Sequence, residues 1–341
     1  MIRTAIVGGR RGVLHGRAYR SIEDMEVVAL CELDPQLRLK ASEELGVSGF
    51  ADYDRMLSEV RPDVVHAVTK PTIPREIWVE SAAKAGAQAL VIEKPIALRP
   101  AELEALSAAV AGSGMKVIVN HQRRYMPFAD KLLAFLADDS LGEIHFVRAS
   151  TEGEIMDMAT HLMDLVLLAV GDVPISGVWA SVEGKESYAK PHLNCPDSLA
   201  ANYTFQGGVR VFFESTPEAY GTVDFPDTNP RCNIDIWATN GRFWWRENGN
   251  WGYEINGDRF SARTAWKEEM MDAQVAFTQA IGEWVRDDNR PHRSRFEVAK
   301  LGYEVLLAAY HSAYRGKRVE EFRPISDMEW ESLRERVLTA D

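Results

Sequence analysis

Short apolar runs alternate with longer amphipathic stretches over the first 120 residues. Most runs are predicted to be followed by helices, because proline or a polar cap residue opens the next stretch. Strands that alternate with helices form parallel sheets with right-handed crossovers. Residues 1–120 are therefore predicted to be a doubly wound, dinucleotide-binding Rossmann domain. The five predicted strands are residues 4–7, 27–31, 64–68, 89–92 and 116–119.

The pattern changes after residue 120, where strand-like segments follow one another and turn sequences separate several of them. Such a series predicts an antiparallel sheet. Residues 121–341 are predicted to be an α+β substrate-binding and oligomerisation domain. Its sheet is expected to be large, open and mostly antiparallel, and its last helices can pack back on the first domain. The predicted strands are 144–149, 177–182, 199–204, 209–214, 232–238 and 241–245, and the main helices are 155–170, 267–286 and 297–314.

Composition narrows the class of protein. The 341 residues are 46% hydrophobic and 26% charged, with a formal net charge of −12. Because no block of lysine and arginine occurs, we expect no nucleic-acid or membrane partner. No signal peptide or membrane span is recognisable. The three cysteines, Cys31, Cys195 and Cys232, form no CxxC pair, which favours a reducing cytoplasm without structural zinc.

A glycine cluster follows the first predicted strand. Gly8, Gly9 and Gly12 enclose Arg10 and Arg11. Glycines at this place let backbone N–H groups approach a pyrophosphate at a helix N-terminus. The spacing is one residue short of GxGxxG, so a tight turn before a helix remains an alternative. We interpret the cluster as a phosphate-binding turn.

An acidic residue, Glu32, comes directly after the second predicted strand. A carboxylate there can accept hydrogen bonds from the adenosine ribose hydroxyls and repels a 2′-phosphate, which favours NAD over NADP. Arg10, Arg11 and Arg38 could offset that repulsion, so NADP is not excluded. A solvated strand end is the alternative interpretation of Glu32.

Candidate catalytic residues lie in two further segments. Lys94, in Glu93-Lys94-Pro95, follows the fourth strand, and a lysine at such a strand end can stabilise a developing alkoxide. An ordinary surface lysine is the alternative. Asp157 and His161 are four residues apart in a predicted helix, so they are expected to share a face, on which the aspartate can orient the imidazole. Asp164 is three residues further on.

The helix has two other interpretations, a surface His–Asp pair and a core histidine that Asp164 satisfies. A metal site is not expected, because no second histidine stands at ligand spacing from His161 and hydride transfer requires no metal.

Together, these segments resemble the Gfo/Idh/MocA family of NAD(P)-dependent oxidoreductases, which includes glucose–fructose oxidoreductase and inositol dehydrogenases. The resemblance covers nearly the whole chain. It rests on residues 89–98 (ALVIEKPIAL), 120–125 (NHQRRY), the Asp157-x-x-x-His161-x-x-Asp164 helix and residues 302–319.

The resemblance implies a role for each matching residue. Lys94 would bind and polarise the reacting hydroxyl, His161 would be the general base in oxidation, and Asp157 would position His161 or the substrate. Arg124, Tyr125 and Asp164 would lie near the substrate, Asp164 more in a structural role. The residues implied to bind the cofactor are Gly8, Gly9, Arg10, Arg11, Gly12, Glu32, Thr69, Glu93 and Lys94.

The family also implies that the Lys94–Pro95 bond is a candidate for the cis form. The predicted function is hydride transfer between NAD(P) and a CH–OH carbon of a sugar, polyol, sugar acid or glycoside. Two alternatives are redox-neutral, NAD-dependent glycoside cleavage and a non-catalytic NAD-binding regulatory protein. An open sheet has a face and edges to cover, which predicts a homodimer or homotetramer.

Overall fold

The computed structural model describes residues 1–219 and 232–340. Contacts within the chain divide it into two compact units. The first consists of residues 1–97, 102–122 and 271–297, and the second of residues 98–101, 123–270 and 298–341. The sequence placed its boundary between residues 120 and 121 and allowed the last helices to pack back on the first domain.

The first unit contains a six-stranded sheet in the order β3-β2-β1-β4-β5-β6, and every pairing in it is parallel. This arrangement confirms the predicted Rossmann sheet. Strands β4 and β5 are buried at every position, which explains why their sequences are almost entirely apolar, with His66 as the exception. The strands are β1 (Ile2–Val7), β2 (Met25–Cys31), β3 (Ser48–Phe50), β4 (Val64–Ala67), β5 (Ala89–Ile92) and β6 (Lys116–Val119).

Five helices connect these strands, and the short strand β3 and the helix after it were not predicted. The α2 helix illustrates why the local sequence forms a helix: the Asp34 side chain accepts from two backbone N–H groups at its start, and Gly46 ends it in the left-handed conformation. The helices are α1 (Gly12–Arg20), α2 (Pro35–Leu45), α3 (Tyr53–Val60), α4 (Glu76–Lys84) and α5 (Pro100–Ser113).

The second unit contains an eight-stranded sheet in the order β14-β13-β12-β11-β7-β10-β9-β8. The prediction of a mostly antiparallel sheet is confirmed, and the β7–β10 pair is the parallel exception. The strands are β7 (Ile144–Glu152), β8 (Ile175–Glu183), β9 (Ser198–Phe205), β10 (Arg210–Thr216), β11 (Cys232–Ala238), β12 (Gly241–Arg246), β13 (Asn250–Ile255) and β14 (Asp258–Arg263).

Helices cover one face of this sheet. The Phe128 ring stacks on Trp245 of β12 with centroids 4.5 Å apart, and residues 160–169 are all buried. A helix that is apolar around its whole circumference belongs in a core. The remaining helices are α6 (Pro127–Ala137), α7 (Thr160–Val170), α8 (Trp266–Arg286), α9 (Phe296–Arg315) and α10 (Asp327–Thr339). None of the helices described is long and apolar enough to cross a membrane.

Candidate active site

The glycine turn at the end of β1 leaves little room for side chains at its three glycine positions. Gly8 has φ +100°, and a Cβ there would lie 2.3 Å from the Val68 carbonyl oxygen. A Cβ at Gly9 would press on the Glu32 side chain at 3.2 Å, and one at Gly12 would lie 2.7 Å from Ile6 Cγ2. The turn therefore keeps its backbone bare and lets α1 start close against β1.

The Glu32 side chain is hydrogen-bonded to this turn. Its Oε2 accepts a hydrogen bond from the Gly9 N–H at 2.7 Å, and its Oε1 accepts from the Asp34 N–H at 3.0 Å. The guanidinium of Arg38 donates to the Glu32 carbonyl oxygen at 2.7 Å, so it is directed at backbone. Arg10 and Arg11 are exposed. The carboxylate thus lies next to the glycine backbone that the sequence assigned to the cofactor.

Thr69 lies just beyond β4 and is held by a buried arginine that the sequence did not indicate. Arg75 donates from Nη1 to the Thr69 hydroxyl at 2.7 Å, and its side chain is 3% exposed. Burial lowers the pKa of Arg75 to about 10, against the opposing effect of Glu93 and Glu102. Arg75 therefore links the strand ends of β4 and β5 electrostatically.

Glu93 and Lys94 follow β5, and both are half-buried. The Lys94–Pro95 peptide bond, which the family resemblance made a candidate for the cis form, is cis. Glu93 Oε1 accepts from Asn120 Nδ2 at 2.8 Å and lies 3.5 Å from His15 Nε2. Asn120, which follows β6, and His15, in α1, thus both lie against the Glu93 carboxylate, which precedes the candidate catalytic lysine.

Asp157 and His161 do not lie in one regular helix. Residues Ile155–Ala159 form a π-helical turn, and the α-helix begins at Thr160. In a π turn the hydrogen bonds run from residue i to i+5, so the expected α-helical face does not apply unchanged to Asp157. Asp157 is half-buried and His161 is 6% exposed. Such turns are frequent at functional sites.

A second buried arginine, Arg123, lies near Asp157 and was also missed by the sequence interpretation. Its Nη2 donates to Glu247 Oε1 at 2.7 Å, and its guanidinium lies 4.4 Å from the centroid of the Trp266 ring. Burial alone would lower the pKa of Arg123, but Glu247 and, to a smaller extent, Asp157 raise it. Asp157 therefore faces a fixed positive charge.

Arg124 and Asp164 form a buried pair. Arg124 Nε donates to Asp164 Oδ1 at 2.8 Å, and its Nη2 donates to the Asp164 carbonyl oxygen and to Asp172 Oδ1, each at 2.8 Å. Burial raises the pKa of Asp164 to about 7, although Arg124 acts in the opposite direction. Tyr125 ends the short 3₁₀ helix that contains Arg124 and is 8% exposed. This geometry favours a structural role for Arg124 and Asp164.

The first 120 residues match a known family. Residues 2–121 match the GFO_IDH_MocA family model, which describes an oxidoreductase family with an NAD-binding Rossmann fold. This part of the chain is therefore similar to that family. The predictions of an NAD(P)-dependent dehydrogenase and of NAD as cofactor are thereby confirmed.

Named relatives are similar to the chain over more of its length. The D-apiose dehydrogenase of Paraburkholderia graminis is 28% identical over 336 residues, covering 90% of this chain and 86% of the relative. The UDP-N-acetylglucosamine 3-dehydrogenase of Acidithiobacillus ferrooxidans is 26% identical over 246 residues, covering 66% and 74%. A crystal structure of an oxidoreductase from Agrobacterium radiobacter with NAD⁺, L-tartaric acid and magnesium matches with a TM-score of 0.78 at 17% identity, covering 94% and 98%, which shows the shared fold.

Proposed function

We propose that the protein transfers a hydride between NAD and a CH–OH carbon of a sugar or a related polyol, sugar acid or glycoside. The observation that carries the proposal is the position of Lys94 at the carboxyl end of β5, in a sheet whose glycine turn and Glu32 suit NAD. Ligands of parallel sheets bind at this edge. The two relatives are named as dehydrogenases of a sugar and of a nucleotide sugar, which supports the substrate class.

The proposed roles follow from the chemistry of alcohol oxidation. Loss of hydride from the carbinol carbon becomes easier as its hydroxyl loses a proton. Lys94 would stabilise the alkoxide with its charge, and His161 would accept the proton in oxidation and return it in reduction. Asp157 would position His161 or the substrate, while Arg123 holds a positive charge near Asp157. NAD, when bound, supplies the hydride acceptor.

The proposed cofactor contacts lie in the first unit. Gly8, Gly9 and Gly12 would present backbone to the pyrophosphate. Glu32 would exchange its hydrogen bond from the Gly9 N–H for hydrogen bonds from the ribose hydroxyls. Since its negative charge would face any 2′-phosphate, NAD would be used in preference to NADP.

The experiment is NADH absorbance at alkaline pH over aldoses, inositols, sugar acids and glycosides, with NAD and NADP in parallel and D-apiose in the first set. We expect turnover with NAD, a kcat about 10²–10³-fold lower in Lys94→Ala, and a similar or larger loss in His161→Asn. Lys84→Ala, which removes an exposed lysine at the end of α4, is the matched control and should behave as wild type.

Two results would contradict the proposal. Release of a cleaved sugar without net NADH would indicate redox-neutral glycoside cleavage. Tight NADH binding with no turnover on any substrate would indicate a non-catalytic NAD-binding protein. Unchanged kcat in Lys94→Ala would contradict the catalytic assignment alone.

We further propose that the face of the eight-stranded sheet that carries Trp179 and Trp237 joins two copies of the chain. Trp179 of β8 and Trp237 of β11 are on this face and are 47% and 36% exposed. Arg148 and Asp235 are paired across strands on the same face, so opposite charges lie side by side, as a self-complementary two-fold contact requires. Light scattering should show a dimer or tetramer that Trp237→Glu dissociates and Leu39→Glu, on α2, does not. A monomeric wild type would contradict this.

The cytoplasm is the proposed location. Cys31, Cys195 and Cys232 are buried and form no disulfide, which suits a reducing compartment. Alkylation of a fresh cell lysate followed by mass spectrometry should find all three thiols reduced. A disulfide in that sample would contradict the assignment.

A further inference from the structure

Three side chains that are far apart in sequence converge beneath the glycine turn of the first unit. His15 lies in the first turns of α1, His66 lies in β4, and Glu93 follows β5. Their ligand atoms all lie within 4.8 Å of one another. His15 Nε2 is 3.5 Å from Glu93 Oε1, and the two imidazole rings have centroids 4.5 Å apart. The topology thus assembles two imidazoles and a carboxylate, a ligand set that suits Zn²⁺.

The cluster is buried but incompletely hydrogen-bonded. His15 and His66 are 5% and 0% exposed. Among the described residues, no group makes a hydrogen bond to His15 Nδ1, His66 Nε2 or Asn120 Oδ1, all of which are inaccessible. Buried polar atoms without a partner are unusual and call for an explanation, and a bound ion is one. A bound cation would be coordinated by the lone pair of the nearest imidazole nitrogen.

Neighbouring groups orient two of the three ligands. Tyr19 Oη lies 3.3 Å from His66 Nδ1, so this nitrogen can donate its proton to the phenol and leave the Nε2 lone pair free. Asn120 Nδ2 donates to Glu93 Oε1 at 2.8 Å. Ligand side chains in metal sites are held by such outer contacts, which fix the tautomer and the orientation.

We propose that His15, His66 and Glu93 form a buried binding site for a late first-row divalent cation, Zn²⁺ above all, which ties α1 to β4 and β5. The proposed role of the ion is structural. The sequence expectation of no metal considered only ligands near His161 and the three cysteines. It could not detect these ligands, because 51 residues separate position 66 from position 15 and 27 residues separate position 93 from position 66.

The test is addition of Co²⁺ alone to untagged, chelator-treated, full-length protein. We expect one equivalent to bind with the intense visible absorption of a four- or five-coordinate ion. Excess Zn²⁺ should displace the Co²⁺ and raise the Tm of the stripped protein by about 5 °C or more. His15→Gln and His66→Gln should lose the absorption, and His192→Gln, at an exposed position, should retain it.

An unchanged spectrum of hydrated Co²⁺ in the folded wild type would overturn the proposal. Equal absorption in His15→Gln, His66→Gln and wild type would also overturn it, because the ion would then bind elsewhere. If a variant does not fold, the wild-type spectrum and the Zn²⁺-dependent Tm still decide, and the readout does not depend on catalytic activity.

Discussion

Replacement of Arg124 by methionine would test the buried ion pair of the second unit. The guanidinium, 1% exposed, makes three hydrogen bonds of 2.8 Å to Asp164 and Asp172. Methionine has a similar stem but supplies no donor. The variant leaves Asp164, 2% exposed, as a buried carboxyl group without its cation.

The expected loss is about 3–5 kcal/mol in the free energy of unfolding, because removing one partner of a buried ion pair leaves an uncompensated charge. The loss should also depend on pH. Arg124 lowers the pKa of Asp164, which burial raises to about 7, so the variant should have a still higher pKa. A raised folded-state pKa contributes stability that disappears as the pH rises through it. Above pH 7 the variant should therefore lose up to about 1.4 kcal/mol per pH unit more than wild type.

The assay is urea unfolding of wild type and Arg124→Met at about pH 6, 7 and 8, together with the double variant Arg124→Met/Asp164→Leu. Since an apolar pair of similar volume can replace a buried ion pair at little cost, the double variant should recover at least half of the loss. A loss below about 1 kcal/mol in Arg124→Met would refute this reasoning. So would a double variant less stable than the single one, or an equal loss at all three pH values.

Three further predictions concern the glycine turn, the cofactor and the last helix. Gly8→Ala should weaken NAD binding at least about 10-fold and lower the Tm, because Gly8 has a positive φ and a Cβ there would clash with the Val68 carbonyl oxygen. In the control Gly46→Ala the φ is also positive but the Cβ would meet open space, so calorimetry should show unchanged NAD affinity. Glu32→Ala should raise KM for NAD about 10-fold and lower the preference for NAD over NADP; an unchanged KM ratio would contradict this. Burial acts to raise the pKa of Glu329, but Arg323 and Ser326 lower it to about 2. The depressed pKa contributes stability that is fully present above about pH 4.5 and is lost as the pH falls through 2. Glu329→Gln should therefore lower the free energy of unfolding by about 1 kcal/mol near pH 7, after allowance for solvent screening, and reduce the pH dependence of stability in acid. An unchanged pH dependence in acid would argue against this.

The parallel sheet could be predicted because its central strands are largely buried on both faces, so they appear as short, mainly apolar runs. The glycine turn, Glu32 and the segment containing Lys94 could be placed at strand ends for the same reason. The family resemblance made Lys94–Pro95 a candidate for the cis form, and the structure shows that the bond is cis. These features are local in sequence, so a reader of the chain can find them without knowing tertiary contacts.

Other features depend on contacts between distant segments and were missed. Arg123 and Glu247 are 124 residues apart, and nothing in either neighbourhood indicates their pairing. Residues Ile155–Ala159 follow the same apolar pattern as an α-helix, so their π-helical turn was not predicted. The parallel pairing of β7 with β10 likewise depends on strand order, which periodicity does not contain.

The most direct test of hydride transfer follows the hydrogen itself. The best substrate from the panel would be labelled with deuterium at the reacting carbinol carbon, and the NADH formed would be analysed by mass spectrometry. We predict that each NADH formed carries one deuterium and that the oxidised sugar has lost it. Cleaved sugar without deuterated NADH, or NADH without label, would contradict direct hydride transfer from a CH–OH carbon to NAD.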